Sequence, residues 1–162
     1  MKKLGKSSKK GFTLVELIVV LVILAVLAAM LVPALVGYID KAKAEKEYQT
    51  ASTVYAAAQA VITEAYGKND ITTSGTNAAK TITATGFDKS ICNTAANTAY
   101  GTEVCTLAGV TYDATNGPVT AFSFDFGTNY VITGGTVNIS GSTYTLTITN
   151  GTPSWTAAKT TP

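Results

Sequence analysis

The sequence contains no histidine and no arginine, so every one of its 12 cationic side chains is a lysine. These absences remove the commonest general base, the commonest nitrogen ligand for a metal and the bidentate guanidinium fork. Ser–His and Cys–His nucleophilic sites cannot be built from what remains. No enzyme activity, catalytic residue, metal or cofactor is therefore expected. Charge is sparse as well, at 14% of residues against about a quarter in ordinary soluble domains. Its distribution is uneven. Lys2, Lys3, Lys6, Lys9 and Lys10 all precede Phe12, and the formal +2 of the chain becomes −3 once those five are set aside. A mildly acidic body does not suggest a nucleic-acid partner. There are only two cysteines, Cys92 and Cys105. In an exported domain they suggest one disulfide closing a short loop, which would contribute about 3 kcal/mol. The alternative is a pair of reduced, buried thiols.

What the chain does have is a long apolar run. Its 162 residues suffice for one domain with a modest core, but residues 12–36, FTLVELIVVLVILAVLAAMLVPALV, exceed the roughly 20 apolar residues that span a bilayer. Glu16 is the one charge in that run. Val and Ile are acceptable in a helix here because apolar surroundings favour internal backbone hydrogen bonding. The lysines ahead of the run hold the N-terminus in the cytoplasm and place the rest outside.

Residues 37–66 are Ala-rich and carry a helical stripe. Ala44, Tyr48, Ala51, Tyr55, Ala58, Ile62 and Ala65 recur at alternating steps of four and three, which is one face of an α-helix. Lys41, Lys43, Lys46 and Glu47 fall largely off it. Gly67 is placed as a helix stop. No strong breaker separates this stretch from the apolar run, although Pro33 should kink the helix and Gly37 weaken it. One continuous helix is expected from about Phe12 to Tyr66, on the order of 80 Å long.

Residues 67–162 are rich in Thr, Asn, Gly and Ser. The first part, 67–102, reads as an irregular connection with at most a short helix or strand. Strand-type residues fill Val104–Tyr112, Val119–Phe126, Tyr130–Ile139 and Thr143–Thr149, separated by turn signals at 116–118, 127–129 and 140–142. Short spacings of this kind predict an antiparallel meander. Phe122, Phe124 and Phe126 alternate and so share one face, the natural partner of the helical stripe. Gly134 and Gly135 are candidates for a bulge or bend.

The most specific stretch is Lys9-Lys10-Gly11-Phe12-Thr13-Leu14-Val15-Glu16, followed by the apolar run. It resembles the class III leader of type IV prepilins and pseudopilins: a short basic leader ending in Gly, then Phe, then Glu at the fifth mature position, then a hydrophobic helix. The resemblance covers roughly residues 1–66. It implies a pilin fold of the α+β class, with a long N-terminal helix packed on a C-terminal antiparallel sheet. It implies removal of leader 1–11 by a prepilin peptidase between Gly11 and Phe12, and N-methylation of Phe12. Residues 12–36 would be a transmembrane and later filament-core helix, 37–66 its amphipathic continuation, and 67–162 the head. Glu16 would guide packing against the Phe12 amine of a neighbouring subunit, and the Pro33–Gly37 stretch would loosen on assembly.

The implied partners are other copies of the chain, minor pilins, the prepilin peptidase, an inner-membrane assembly platform and, before assembly, the lipid bilayer. The implied location is the cytoplasmic membrane as a single-pass precursor, then a filament on the cell surface serving adhesion, motility or DNA uptake. A charge argument supports the role of Glu16. An acid at membrane depth marks function by default, and its partner amine exists only after cleavage.

Three rival readings arise from the residues. The chain could be a type II secretion or competence pseudopilin. It could be a secreted β-domain binding protein whose ordinary signal peptide is cut after Val26-Leu27-Ala28, before Ala29. Glu16 alone could simply favour a helix start through the dipole. Lesser motifs carry little. Gly5-Lys6-Ser7 lacks the rest of a phosphate loop. Asp113, Asn116, Asp125 and Asn129 fit no calcium template. Asn138-Ile139-Ser140 and Asn150-Gly151-Thr152 are glycosylation sequons of a kind common by chance.

Overall fold

The computed structural model of the chain describes residues 11–72, 80–88, 91–92 and 97–159. They form, in order, α1 (Leu14–Gly67), β1 (Thr81–Thr83), β2 (Gly86–Phe87), α2 (Asn97–Ala108), β3 (Val119–Phe126), β4 (Ile132–Ile139), β5 (Ser142–Thr149) and β6 (Thr152–Lys159). The chain divides into two compact units, and the division falls inside α1, after Lys43.

The first unit is the apolar part of α1. As expected, the helix runs on through Pro33; the missing N–H removes one internal bond, and the neighbouring turns hold the rest. Every large apolar side chain from Phe12 to Ile39 is at least half exposed.

The second unit is built on one antiparallel sheet in the order β2-β1-β3-β4-β5-β6. β3 to β5 are strands of the expected meander, and β6 extends it by one more hairpin. Two-residue turns at Ser140-Gly141 and Asn150-Gly151 join its last three strands, with both residues of each turn at positive φ, the backbone that matches strand twist. Phe122, Phe124 and Phe126 are all buried on the face that meets the rest of α1. Tyr55 of the helix lies against Phe124 and Trp155, with ring centroids 6.1 and 6.5 Å away. Gln59 clamps the start of β4: its amide donates to the Tyr130 carbonyl and accepts from the Ile132 N–H, each at 2.9 Å. The ladder skips a residue between Asp125 and Phe126, so the expected irregularity falls beside Gly134.

Several expectations are corrected. The buried face of α1 runs through Glu47, Ala51, Val54, Ala57, Ala58, Val61, Ile62 and Ala65: Ala51, Ala58, Ile62 and Ala65 of the expected stripe are buried as read, and the face widens to take in Glu47, Val54, Ala57 and Val61. Ala44 and Tyr48 are exposed, and Tyr55 is only half-buried at the rim. Tyrosine hydroxyls favour the rim, whereas Val54 and Val61 fit flush against the sheet. Glu47, placed off the stripe by its charge, is buried because the Tyr144 hydroxyl donates to its Oε2 at 2.8 Å. The helix ends at Gly67 as expected, but the residue that caps it is Asn69. Asn69 takes the left-handed conformation at φ 60°, its N–H bonds the Tyr66 carbonyl and the Asp70 N–H bonds the Ala65 carbonyl, a Schellman cap with Asn in the glycine position.

The stretch Val104–Tyr112 is not a strand. Its first part belongs to α2, whose Tyr100, Gly101, Val104 and Cys105 form a buried helical face. β-branched residues at helical spacing follow the packing rather than their propensity. β6 was not expected at all.

Cys92 and Cys105, the pair expected to form a disulfide, are both buried. Each serves as a small apolar core residue, and burial pushes the Cys105 thiol up.

Two features of this unit make predictions. A Cβ on Gly101 would lie 2.2 Å from the Ala84 carbonyl oxygen and 2.7 Å from the Gly86 nitrogen. Both are backbone atoms, so no rotamer change relieves the clash. Gly101→Ala should lower head stability by about 1–3 kcal/mol, read as an earlier thermal transition of the full-length protein in detergent. An unshifted transition would show that α2 is not pressed against the β1–β2 turn.

The second concerns Tyr144. Burial first, then the bond to Glu47 and its charge, push this phenol up to about 12. The raised value favours the neutral phenol in the folded state. Its stabilisation is complete below the ordinary tyrosine value of about 10 and is lost as pH rises through about 12. Tyr100 is raised by burial and by donating to Asp70, and adds with the same sign. Unfolding free energy should therefore fall steeply between those pH values, and Tyr144→Phe should flatten the slope. An equal slope in the variant would remove Tyr144 from the account.

Candidate assembly site

Gly11 and Phe12 precede the helix in non-helical backbone, and Phe12 is 84% exposed. Thr13 is the N-cap of α1 and Glu16 its third helical residue. The Thr13 N–H donates to Glu16 Oε2 at 2.8 Å, the Thr13 hydroxyl donates to the same oxygen at 2.7 Å, and the Glu16 N–H donates back to Thr13 Oγ1 at 3.3 Å. This reciprocal arrangement is a capping box. It satisfies two of the donors that a helix start leaves without partners. It also fixes the carboxylate on the backbone N–H of the residue that follows Phe12.

The structure ties Glu16 to Thr13, the residue that follows Phe12, a role for Thr13 that the sequence reading did not assign. The signal was legible, since Thr13-x-x-Glu16 just before an apolar run is the sequence form of a capping box.

Pro33, Ala34, Gly37, Tyr38 and Lys41 line a shallow hollow of about 250 Å³ on the helix. A Cβ on Gly37 would meet nothing within 4 Å, so no contact within one chain requires glycine there. Lys9, Lys10 and the Gly5-Lys6-Ser7 stretch lie outside the described residues.

Three of the four candidate calcium ligands, Asp113, Asp125 and Asn129, already accept bonds within their own turn or strand. Asp113 Oδ1 accepts from the Thr115 N–H at 2.8 Å, the Thr115 hydroxyl at 2.7 Å and the Asn116 N–H at 3.3 Å. Those bonds hold its carboxyl below the usual carboxylate range, the Thr115 backbone bond contributing most. Asp125 accepts from the Thr81 hydroxyl, and Asn129 from the Val131 N–H. Among the described residues, no group of three or more His, Cys, Asp or Glu could hold a metal ion. Of the sequons, Asn150 sits in an exposed turn and Asn138 is half-buried in β4.

A long N-terminal helix with an exposed apolar half, followed by an antiparallel sheet, is the α+β layout of the pilin fold. Residues 6–32 match the family model of the prokaryotic N-terminal methylation motif, and this match supports a type IV pilin- or pseudopilin-like family for the chain. No curated protein and no solved structure matches it. The apolar helix and the motif together suggest a single-pass precursor inserted in a membrane.

Proposed function

We propose that the chain is the precursor of a structural subunit of a type IV pilus, cut between Gly11 and Phe12, methylated on Phe12 and polymerised through the apolar part of α1. The observation that carries this reading is the Glu16 carboxylate, held by Thr13 beside Phe12 at the head of an exposed apolar helix.

The order of events follows from charge. Before cleavage the Phe12 nitrogen is an amide and offers Glu16 no counter-ion. The capping box meets the needs of the carboxylate in that state. Cleavage removes the cationic leader and leaves an ammonium on Phe12. In lipid, apolar helices gain little from one another, because lipid tails are as apolar as leucine. A charge pair between the Glu16 of one copy and the Phe12 amine of the next then supplies register and direction. The apolar side chains follow by packing together as they leave the bilayer. Residues 12–36 form the filament core, residues 37–66 carry it into the head, and the head faces outwards for adhesion, motility or DNA uptake.

Mass spectrometry and N-terminal sequencing of the mature protein test this directly. The expected N-terminus is Phe12 bearing one methyl group. A start at Ala29 would instead identify a secreted domain with an ordinary signal peptide, and a retained Met1 would end the pilin reading.

A further inference from the structure

The two edges of the sheet are built differently. At the β2 edge the side chain of Asn97 closes the backbone, accepting from the Phe87 N–H at 2.7 Å and donating to the Phe87 carbonyl at 2.9 Å. β2 is also only two residues long. β6, at the other edge, is eight residues long and pairs with β5 in unbroken register from Thr149↔Thr152 to Ser142↔Lys159. Among the described residues nothing pairs with its outer side.

The groups on that side follow from the turn. A two-residue hairpin makes Thr149–Thr152 a hydrogen-bonded pair. Residues 152, 154, 156 and 158 then spend their backbone groups on β5, while residues 153, 155, 157 and 159 aim theirs outwards. Pro153 occupies an outward position, where its missing N–H costs no ladder bond. The remaining outward groups are a row of donors and acceptors, the kind of edge that recruits another strand.

We infer that the β6 edge pairs with the β6 edge of a second copy of this chain, antiparallel about a two-fold axis through Thr156. The choice of partner rests on three points. First, among described strands only β6 offers a long open edge, so a second copy must present β6 in turn. Second, the edge is self-complementary in antiparallel pairing; of the registers that set outward residues opposite one another, the one proposed has residue numbers that sum to 312. The N–H and carbonyl groups of Trp155 face those of Ala157 in the partner copy, twice by symmetry, and the Lys159 N–H faces the Pro153 carbonyl, while Pro153 has no N–H to return to the Lys159 carbonyl. Third, charge does not oppose the pairing. Lys159 is the one ionisable residue of β6 and falls at the ends, away from its own mate. The pairing also sets half-buried Trp155 beside exposed Ala157 of the other copy, extending the apolar face.

Such a contact is small, below the roughly 1,000 Å² that a stand-alone interface needs, so it is weak for an isolated pair and effective where copies are arrayed. A two-fold contact does not recur between neighbours related by a screw in a polar filament. The edge therefore joins copies in two filaments and holds filaments side by side. That consequence rests on the proposed function; the pairing itself does not.

The test uses the full-length chain in detergent at high concentration, without filaments. Across the axis Thr156 faces itself in a non-hydrogen-bonded pair, with Cβ atoms about 4.5–5.5 Å apart, close to disulfide range. Thr156→Cys should give an oxidised, disulfide-linked dimer well above the wild-type background. Thr152→Cys, whose mates lie roughly 26 Å apart at 3.3 Å per residue, should not. Adding Ala157→Pro removes an outward N–H, spares the β5 ladder and should cut the Thr156→Cys yield several-fold. No dimer with Thr156→Cys, or equal yields at both positions, overturns the pairing. In filament preparations Thr156→Lys sets like charges together on the axis and should separate filaments that otherwise lie side by side. Filaments of this variant that still associate as the wild type does overturn the lateral role. A crosslink in detergent from a chain that never forms filaments supports the pairing while the pilus reading fails.

Discussion

Glu16→Ala and Glu16→Gln should both leave the leader removed and both abolish filaments. The pair of variants matters because the carboxylate has two functions in the structure. It completes the capping box with Thr13, and it is the proposed partner of the Phe12 amine of a neighbour. Gln serves at the third helical position of a capping box nearly as well as Glu, so Glu16→Gln keeps the cap and removes the charge. Glu16→Ala removes both. If Glu16 only starts the helix, the Gln variant assembles normally and the Ala variant loses about 1 kcal/mol of local helix stability.

If the charge pair directs assembly, both fail alike. A hydrogen bond to a charged group contributes about 1.5–3 kcal/mol, or roughly 10- to 100-fold per contact, and a filament repeats the contact at every subunit. Counting surface filaments by electron microscopy, with immunoblots for leader removal, reads both steps. Wild-type filament yield from Glu16→Gln would sink the counter-ion mechanism and leave only the cap. Thr13→Ala adds a third arm: it keeps the charge and removes the hydroxyl, and should weaken assembly less than either Glu16 variant.

The N-terminal site could be proposed from sequence because its chemistry is local. The proposed cleavage peptide, the proposed methylation position and the carboxylate lie within six residues, and a charge inside an apolar run stands out against any background. Thr13 escaped notice because Thr is the commonplace residue of this chain; its meaning comes from the spacing to Glu16, not from its type. In the head, β3 was read with the bounds the structure gives, since alternating Phe between turn signals admits one period only. β6 was missed because TPSWTAAK contains a proline and two alanines that weaken a strand reading. The structure tolerates them at an edge, where the outward N–H of residue 153 is dispensable.

α2 was missed for the opposite reason. Val104, Thr102 and Thr106 carry strand propensity, but the pressure of the β1–β2 turn on Gly101 selects the helix. Glu47 shows the limit of binary patterning. Its burial depends on Tyr144, 97 residues away, and no local window contains both. The widened buried face of α1 has the same origin, because the sheet decides how far around the helix the contact reaches.

Phe124→Ala should cost the head about 3–5 kcal/mol, the range for truncating a buried aromatic. Phe124 is fully buried and lies at the meeting point of three rings. Tyr55 from α1 is 6.1 Å away, Trp155 from β6 is 6.4 Å away and Phe122 is 6.1 Å away. Removing it takes the central contact from both the helix and the edge hairpin, and the backbone close by cannot collapse into the gap. A Cβ on Gly135 would already lie 2.8 Å from the Phe124 Cα, so β4 is pressed against this point of β3. A loss of that size is a large share of the 5–15 kcal/mol that holds a typical domain, and the head should unfold roughly 10 °C or more below the wild type. The leader site lies in the other compact unit, so cleavage after Gly11 should proceed while mature subunit is lost to proteolysis and surface filaments fall. Calorimetry of the full-length protein in detergent, set beside immunoblots of processed subunit, checks both halves. A transition within a few degrees of wild type would mean that the aromatic cluster around Phe124 is not what joins the helix to the sheet.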